Sequence, residues 1–137
     1  MTSFPLKIVT PDGLLFDGMA EKLIVRTFEG DMAVLARHIN CVCPLGMGRA
    51  VIETGGQRRT AACIGGMLSV RDGNVTLVPT TFEWAEAIDV ARADRAHEKA
   101  LALIEQHTED KAALRLAEAK LHRALVRKSV AEGMQNQ

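Results

Sequence analysis

Short apolar runs alternate with turn signals along the first 84 residues of the chain. Phe4–Thr10 precedes Pro11-Asp12-Gly13, and Met67–Arg71 precedes Asp72-Gly73-Asn74, where Gly and Asn tolerate a positive φ. Alternate positions are apolar, as at Leu6 and Ile8, and period-two spacing points such side chains to one face of a strand. Further runs are Lys22–Phe28, Met47–Glu53, Arg58–Ile64 and Val75–Pro79. The pattern predicts about nine or ten strands in a sandwich or barrel.

The apolar spacing changes to three and four residues beyond residue 85, which predicts helices. The first helix is expected from about Asp89, whose carboxylate can cap it, to Gln106. A second helix, capped by Thr108 or Asp110, is expected to end near Ala131 and to pack antiparallel to the first. The expected contact stripes are Ala93, Ala96, Ala100, Leu103 and Ile104 on the first helix, and Leu114, Ala117, Leu121, Ala124 and Leu125 on the second.

Composition changes at the same point in the chain. Residues 1–84 hold 10 of the 11 glycines and all four prolines, whereas residues 85–137 hold 13 alanines. Gly and Pro mark turns, and Ala favours helix. We therefore predict an α+β protein with a β unit over 1–84 and a helical hairpin over 85–137.

Charge and composition exclude several classes of protein. The 17 basic residues offset the 17 acidic ones, and the balance holds in each unit, so no long-range attraction to nucleic acid or to an anionic membrane is expected. No apolar run approaches the roughly 18 residues that would span a bilayer, so we expect no direct membrane insertion. Three cysteines do not indicate a disulfide framework and favour a reducing compartment. The N-terminus lacks the zones of a signal peptide.

Most motifs of catalysis are absent from the chain, and we expect no catalytic residue. Cys41-x-Cys43 would place two thiols on one strand face near His38, but a metal site needs about four suitable ligands. We interpret these cysteines as small packing residues and expect no metal. The four histidines, His38, His97, His107 and His122, show no metal-binding spacing.

Basic residues on the two predicted helices form a more informative group. Arg92 and Lys99 are seven apart on the first helix, and Arg123 and Arg127 are four apart on the second, so each pair shares a helix face. Several guanidinium groups together could bind a polyphosphate. The alternative is a solvated charged face with intrahelical pairs, such as Arg95 and Lys99 with Asp94 and Glu98.

Four segments together resemble the epsilon subunit of bacterial F-type ATP synthases. The first is Ile64-Gly65-Gly66-Met67-Leu68-Ser69-Val70, followed by Gly73-Asn74-Val75-Thr76-Leu77, which resembles the family's glycine-pair hairpin. The others are Val9-Thr10-Pro11-Asp12-Gly13, Glu29-Gly30-Asp31-Met32-Ala33-Val34-Leu35 with His38, and Ile88-Asp89-Val90-Ala91-Arg92-Ala93. Their order and spacing cover the whole chain.

The resemblance implies a ten-stranded β-sandwich followed by a two-helix hairpin. It implies a non-catalytic rotor subunit that binds the gamma subunit and the c-ring at the cytoplasmic face of the bacterial membrane and couples ring rotation to ATP synthesis. The helices would also extend to the alpha and beta subunits and block ATP hydrolysis. No cofactor is required, but ATP is implied as a regulatory ligand.

The resemblance also implies two groups of site residues. Asp31 would face the c-ring, and His38 would lie near gamma. The nucleotide-contacting positions would be Glu83, Ile88, Asp89, Arg92, Ala93, Lys99, Arg123 and Arg127.

The chain departs from the family pattern near the expected partner contacts. Ala36-Arg37 replaces a Pro-Gly pair, Asn40-Cys41 replaces a Pro-Leu pair, and Ala33 replaces a Gly. Two other functions stay open on the residues alone. One is a free-standing small-molecule-binding sandwich with a helical lid, and the other is an enzyme that uses the Cys/His group.

Overall fold

The computed structural model describes residues 2–106 and 109–135, which divide into two compact units. The first unit ends at Trp84 and the second begins at Ala85. The strands are β1 (Phe4–Thr10), β2 (Gly13–Ala20), β3 (Lys22–Thr27), β4 (Gly30–Val34), β5 (Cys41–Pro44), β6 (Met47–Thr54), β7 (Gln57–Arg71) and β8 (Asn74–Trp84). A 3₁₀ turn (Ala85–Ala87), α1 (Val90–Gln106) and α2 (Lys111–Gln135) follow.

The first unit is a β-sandwich built from one continuously hydrogen-bonded sheet. Its strand order is β2-β1-β8-β7-β6-β3-β4, and β5 pairs with β7 outside this path. The β1–β8 pair is parallel, and the other pairs are antiparallel. Strands from both ends of the order supply one buried core, which includes Phe4, Leu6 and Ile8 of β1 and Leu23 and Val25 of β3. The predicted period-two alternation of β1 is confirmed.

The described residues form eight strands, so the expectation of ten is wrong in its count. The apolar runs predict strand ends at Gly65-Gly66 and after Pro79, but β7 and β8 both run past these points. Their register is unchanged from Ala61↔Trp84 to Arg71↔Asn74. A glycine pair can stay within a strand when neighbouring strands hold the hydrogen bonds on both sides of it.

The Gly65-Gly66 pair lies where β7 changes partner from β6 to β5. Both glycines have a left-handed φ, 69° at Gly65 and 104° at Gly66. The Gly65 N–H donates to the carbonyl of Gly46 at 3.0 Å, and the Leu45 N–H donates to the carbonyl of Gly66 at 2.8 Å. A Cβ on Gly66 would collide with the carbonyl oxygen of Val78 on β8. Only glycine fits a backbone that approaches so closely in this conformation.

Both acidic caps predicted for the helices are confirmed. The Asp89 carboxylate accepts the Arg92 N–H at 3.0 Å, and the Asp110 carboxylate accepts the N–H groups of Ala112 and Ala113 at 3.1 Å. Each satisfies N–H groups that have no partner inside the helix. Thr108, the other proposed cap, lies outside the described residues. The second helix reaches Gln135, four residues beyond the expected end.

The two helices pack antiparallel along an alanine seam, which comprises Ala93 and Ala100 of α1 and Ala117 and Ala124 of α2. All four alanines are buried. The direction follows from the contact of Lys128, late in α2, with Asp94, early in α1. Two predicted stripe members are wrong, because Ala96 is exposed and Leu125 is 44% exposed. Small side chains make a narrow interface, and a helix turns Leu125 about 100° away from Ala124.

No helix in the described part of the chain is long and apolar enough to cross a membrane.

Substitution Gly66→Ala is expected to destabilise the β-sandwich by about 3 kcal/mol or more, because the new Cβ meets backbone and the φ is strained. Chemical denaturation of the purified chain measures the loss. The matched control is Gly18→Ala, where an added Cβ meets only the ring of Phe16 at ordinary distances, 3.6 Å and above. An equal, small effect of both substitutions would contradict the close approach.

Candidate functional site

The predicted nucleotide-binding cations on α1 lie to one side of the alanine seam. Arg92 and Lys99 immediately precede the seam residues Ala93 and Ala100, and both side chains are exposed. Since each residue advances a helix by about 100°, the two cations project to the same side.

The predicted cations on α2 lie along the same edge of the seam. Arg123 immediately precedes Ala124, and Arg127 is one turn further along, so both project to one side. Lys128 and Asp94 are turned to the opposite side of their helices, and they are in contact across the seam. In an antiparallel pair, contact between these two sides also brings the opposite side of α1 next to the opposite side of α2. The structure therefore places Arg92, Lys99, Arg123 and Arg127 along one edge, which we call the cationic edge.

The other predicted nucleotide contacts have separate positions. Ile88 and Ala93 are buried, and the Asp89 carboxylate is occupied as the α1 cap. Glu83 is half-buried on β8, opposite Ala62, and belongs to the sandwich unit rather than to the helical unit.

Lys128, Asp94 and His97 form a polar group at the other edge of the seam, which we call the clasp. It was not predicted from the sequence. The Lys128 Nζ lies 3.0 Å from the Asp94 carboxylate and 3.1 Å from Nδ1 of His97. Because an ammonium only donates hydrogen bonds, Nδ1 of His97 must be the acceptor, so the imidazole is neutral here. Asp94 therefore has an ion pair across the helices, whereas the sequence suggested intrahelical pairs. The spacing of Asp94 and His97, one turn apart, was the available signal.

The predicted partner contacts Asp31 and His38 both lie at the surface of the sandwich unit. Asp31 on β4 is register-paired with Arg26 on β3, and its carboxylate lies 3.1 Å from the Arg26 Nε. His38 is half-buried, and its Nδ1 lies 2.8 Å from the carbonyl of Ile39. A carbonyl only accepts hydrogen bonds, so this nitrogen carries the proton. Asp31 and His38 are therefore surface residues whose polar side chains contact neighbouring residues of the sandwich unit.

Two of the three thiols, Cys41 and Cys63, are not activated as nucleophiles. Burial raises the pKa of Cys63 to about 12, and burial followed by the neighbouring Cys43 raises the pKa of Cys41. Both groups therefore stay protonated near neutral pH, whereas thiol nucleophiles react as thiolates. Within the described residues, no group of three or more His, Cys, Asp or Glu side chains could hold a metal ion.

Comparison with known proteins identifies the sandwich. Residues 3–85 match the model of the β-sandwich domain of the ATP synthase delta/epsilon chain. The chain belongs to this family. The "ATP synthase epsilon chain" of Shouchella clausii is 35% identical over 96% of this chain and 97% of its own length. The protein of the same name from Bacillus velezensis is 38% identical over 96% of this chain and 98% of its own. The predicted resemblance is thereby confirmed.

Two solved ATP synthase structures contain chains with the same fold. A chain in the Euglena gracilis mitochondrial ATP synthase structure, which contains OSCP, F1 and the c-ring, superposes with a TM-score of 0.82 at 26% identity over 94% of this chain and 81% of its own. A chain from the central stalk and c-ring structure of the Tetrahymena thermophila enzyme gives 0.65 at 14% identity over 93% and 95%, which shows the fold alone. The chain is thus a non-catalytic, epsilon-type subunit of an F-type ATP synthase.

Proposed function

We propose that this subunit belongs to the central stalk, at the cytoplasmic face of the bacterial membrane, and couples rotation of the c-ring to ATP synthesis. Its β-sandwich docks on the gamma subunit and on the c-ring. In the same proposal, its helices contact the alpha and beta subunits when extended and restrain ATP hydrolysis. Near-full-length similarity to bacterial epsilon chains supports the role. The observation that carries the docking step is a row of exposed apolar side chains on the sandwich.

This apolar row crosses three neighbouring strands. Pro44 of β5, Met67 of β7 and Val78 of β8 are directly opposite one another in the register. Met67 is 42% exposed, Val78 is 45% exposed, and Val42, two positions along β5, is 67% exposed. Contiguous exposed apolar side chains are typical of protein interfaces. Because the unit carries no net charge, such local contacts are a better basis for docking than long-range attraction. We therefore assign to this row the contact with the gamma subunit.

Substitution Met67→Lys is expected to reduce co-purification of the chain with gamma by at least tenfold, because docking would bury the new ammonium against apolar groups. The matched control is Leu14→Lys on β2, where the native leucine is 58% exposed and lies outside the row. Circular dichroism checks that both variants fold. Equal recovery of gamma with both variants would contradict docking through the row.

The cationic edge supports ATP as the regulatory ligand. Arg92, Arg123 and Arg127 offer planar guanidinium groups that form paired hydrogen bonds to phosphate oxygens, and Lys99 adds a point charge. The helical unit would have two states, one with the helices packed and one with them separated. A ligand shifts the balance between these states only to the extent that it binds one of them more tightly. A phosphate chain that spans both helices would bind the packed pair and not separated helices, so it would favour the packed state.

Substitutions Arg92→Ala and Arg123→Ala are each expected to weaken ATP binding by the full-length chain by about 10- to 100-fold, the loss typical of one hydrogen bond to a charged group. Calorimetric titration measures the affinity. The control Arg115→Ala removes an exposed arginine of α2 that lies away from the seam. If the wild-type chain binds no ATP at millimolar concentrations, the nucleotide site is wrong while the stalk role stands.

Truncation after Glu86 is expected to raise the ATPase activity of the reconstituted catalytic head relative to the full-length subunit. The cut removes α1 and α2 and keeps every strand of the sandwich, so docking should persist. The measurement compares ATP hydrolysis at equal subunit occupancy, which is checked by gel quantification. Identical rates with the two forms would argue against restraint of hydrolysis by the helices.

A further inference from the structure

Three sulfur atoms lie together at two edge strands of the sandwich. In the described sheet, β4 pairs only with β3 and β5 pairs only with β7. Met32 is on β4, and Cys41 and Cys43 are alternate residues of β5, so both thiols project to the same face. All three side chains are half-buried and pack against the core. They are therefore shielded but within reach of a small ion.

The distances join these side chains into one group. The Cys43 Sγ lies 3.9 Å from the Met32 Sδ. Cys41 stands two residues before Cys43 on β5 and on the same face of the strand, so the two thiols are neighbours along this edge. His38 is excluded as a further ligand through Nδ1, because this nitrogen carries the proton that the Ile39 carbonyl accepts. Its N–H lies 4.0 Å from the Cys41 Sγ and can only donate toward it.

We propose that Met32, Cys41 and Cys43 form a binding site for a single soft monovalent cation of the Cu(I) class. Thiolate and thioether sulfur are the ligands that select Cu(I). Metal–sulfur bonds of about 2.3 Å place the sulfur atoms of a planar three-coordinate site about 4 Å apart. The separation of Cys43 and Met32 matches this value. Zinc is disfavoured, since structural zinc takes four nitrogen or sulfur ligands from Cys and His.

Binding would tie together two strands that share no sheet hydrogen bonds. Each thiol that ligates the cation gives up its proton, so one ion releases up to two protons and no electron is transferred. Because the cation binds the folded chain, in which the two strands are held together, it should also raise the melting temperature.

The test titrates the full-length, reduced chain with Ag(I), which has the softness of Cu(I) without its redox chemistry, and repeats it with Cu(I) against a chromogenic Cu(I) chelator. We expect one equivalent to bind, with an affinity for Zn(II) at least 1000-fold weaker. Cys43→Ser is expected to weaken Ag(I) binding at least 100-fold. Met32→Leu, which keeps the side-chain volume, is expected to weaken it about tenfold and to reduce the rise in melting temperature.

The matched control is Cys63→Ala. This thiol is buried on β7, and its pKa of about 12 makes it a poor ligand, so its removal should leave Ag(I) binding unchanged. Binding that is lost equally in Cys63→Ala and Cys43→Ser would overturn the site. So would a titration in which Met32→Leu binds as tightly as the wild type, because the proposal requires the thioether as a ligand.

Discussion

The sandwich depends on the close approach of the Gly66 backbone to β8. At this point β7 leaves β6 and continues along β5, while the register with β8 stays unbroken. The hydrogen bonds from the Gly65 N–H to Gly46 and from the Leu45 N–H to Gly66 continue the backbone pairing across the gap between β5 and β6. Because β5 and β6 share one register along β7, the exposed row around Met67 is positioned by the same backbone constraint.

The helical unit is stabilised differently, with consequences for regulation. Its seam is lined by alanines, which bury little apolar area, and at about 25 cal/mol per Å² such burial stabilises the pair only modestly. The clasp of Lys128 with Asp94 and His97 adds directional contacts at one edge. Asp94 is 53% exposed, so screening by solvent limits the contribution of this ion pair. Because α1 and α2 are held together only weakly, a ligand bound at the cationic edge can shift the balance between packed and separated helices.

Features with local causes could be predicted from the sequence, whereas features that join distant segments could not. The turn at Asp72-Gly73 and the caps Asp89 and Asp110 depend on residues a few positions apart. The strand count failed because β7 stays intact through contacts with three other strands. The cationic edge could be proposed from spacing, but its placement required the direction of helix packing, which the contact of Lys128 with Asp94 supplies.

The segment from Arg37 to Asn40, which precedes β5, combines a strained residue with hydrogen bonds to a neighbouring turn. Arg37 has a φ of 66°, a conformation that costs a non-glycine residue about 1 kcal/mol. Asn40 holds the segment that follows, because its side chain accepts the Asp72 N–H at 2.8 Å and donates to the Asp72 carboxylate at 3.3 Å. The segment is thereby tied to the turn between β7 and β8. Cys41 directly follows Asn40, so the same tie fixes the start of β5, where we propose the soft-cation site.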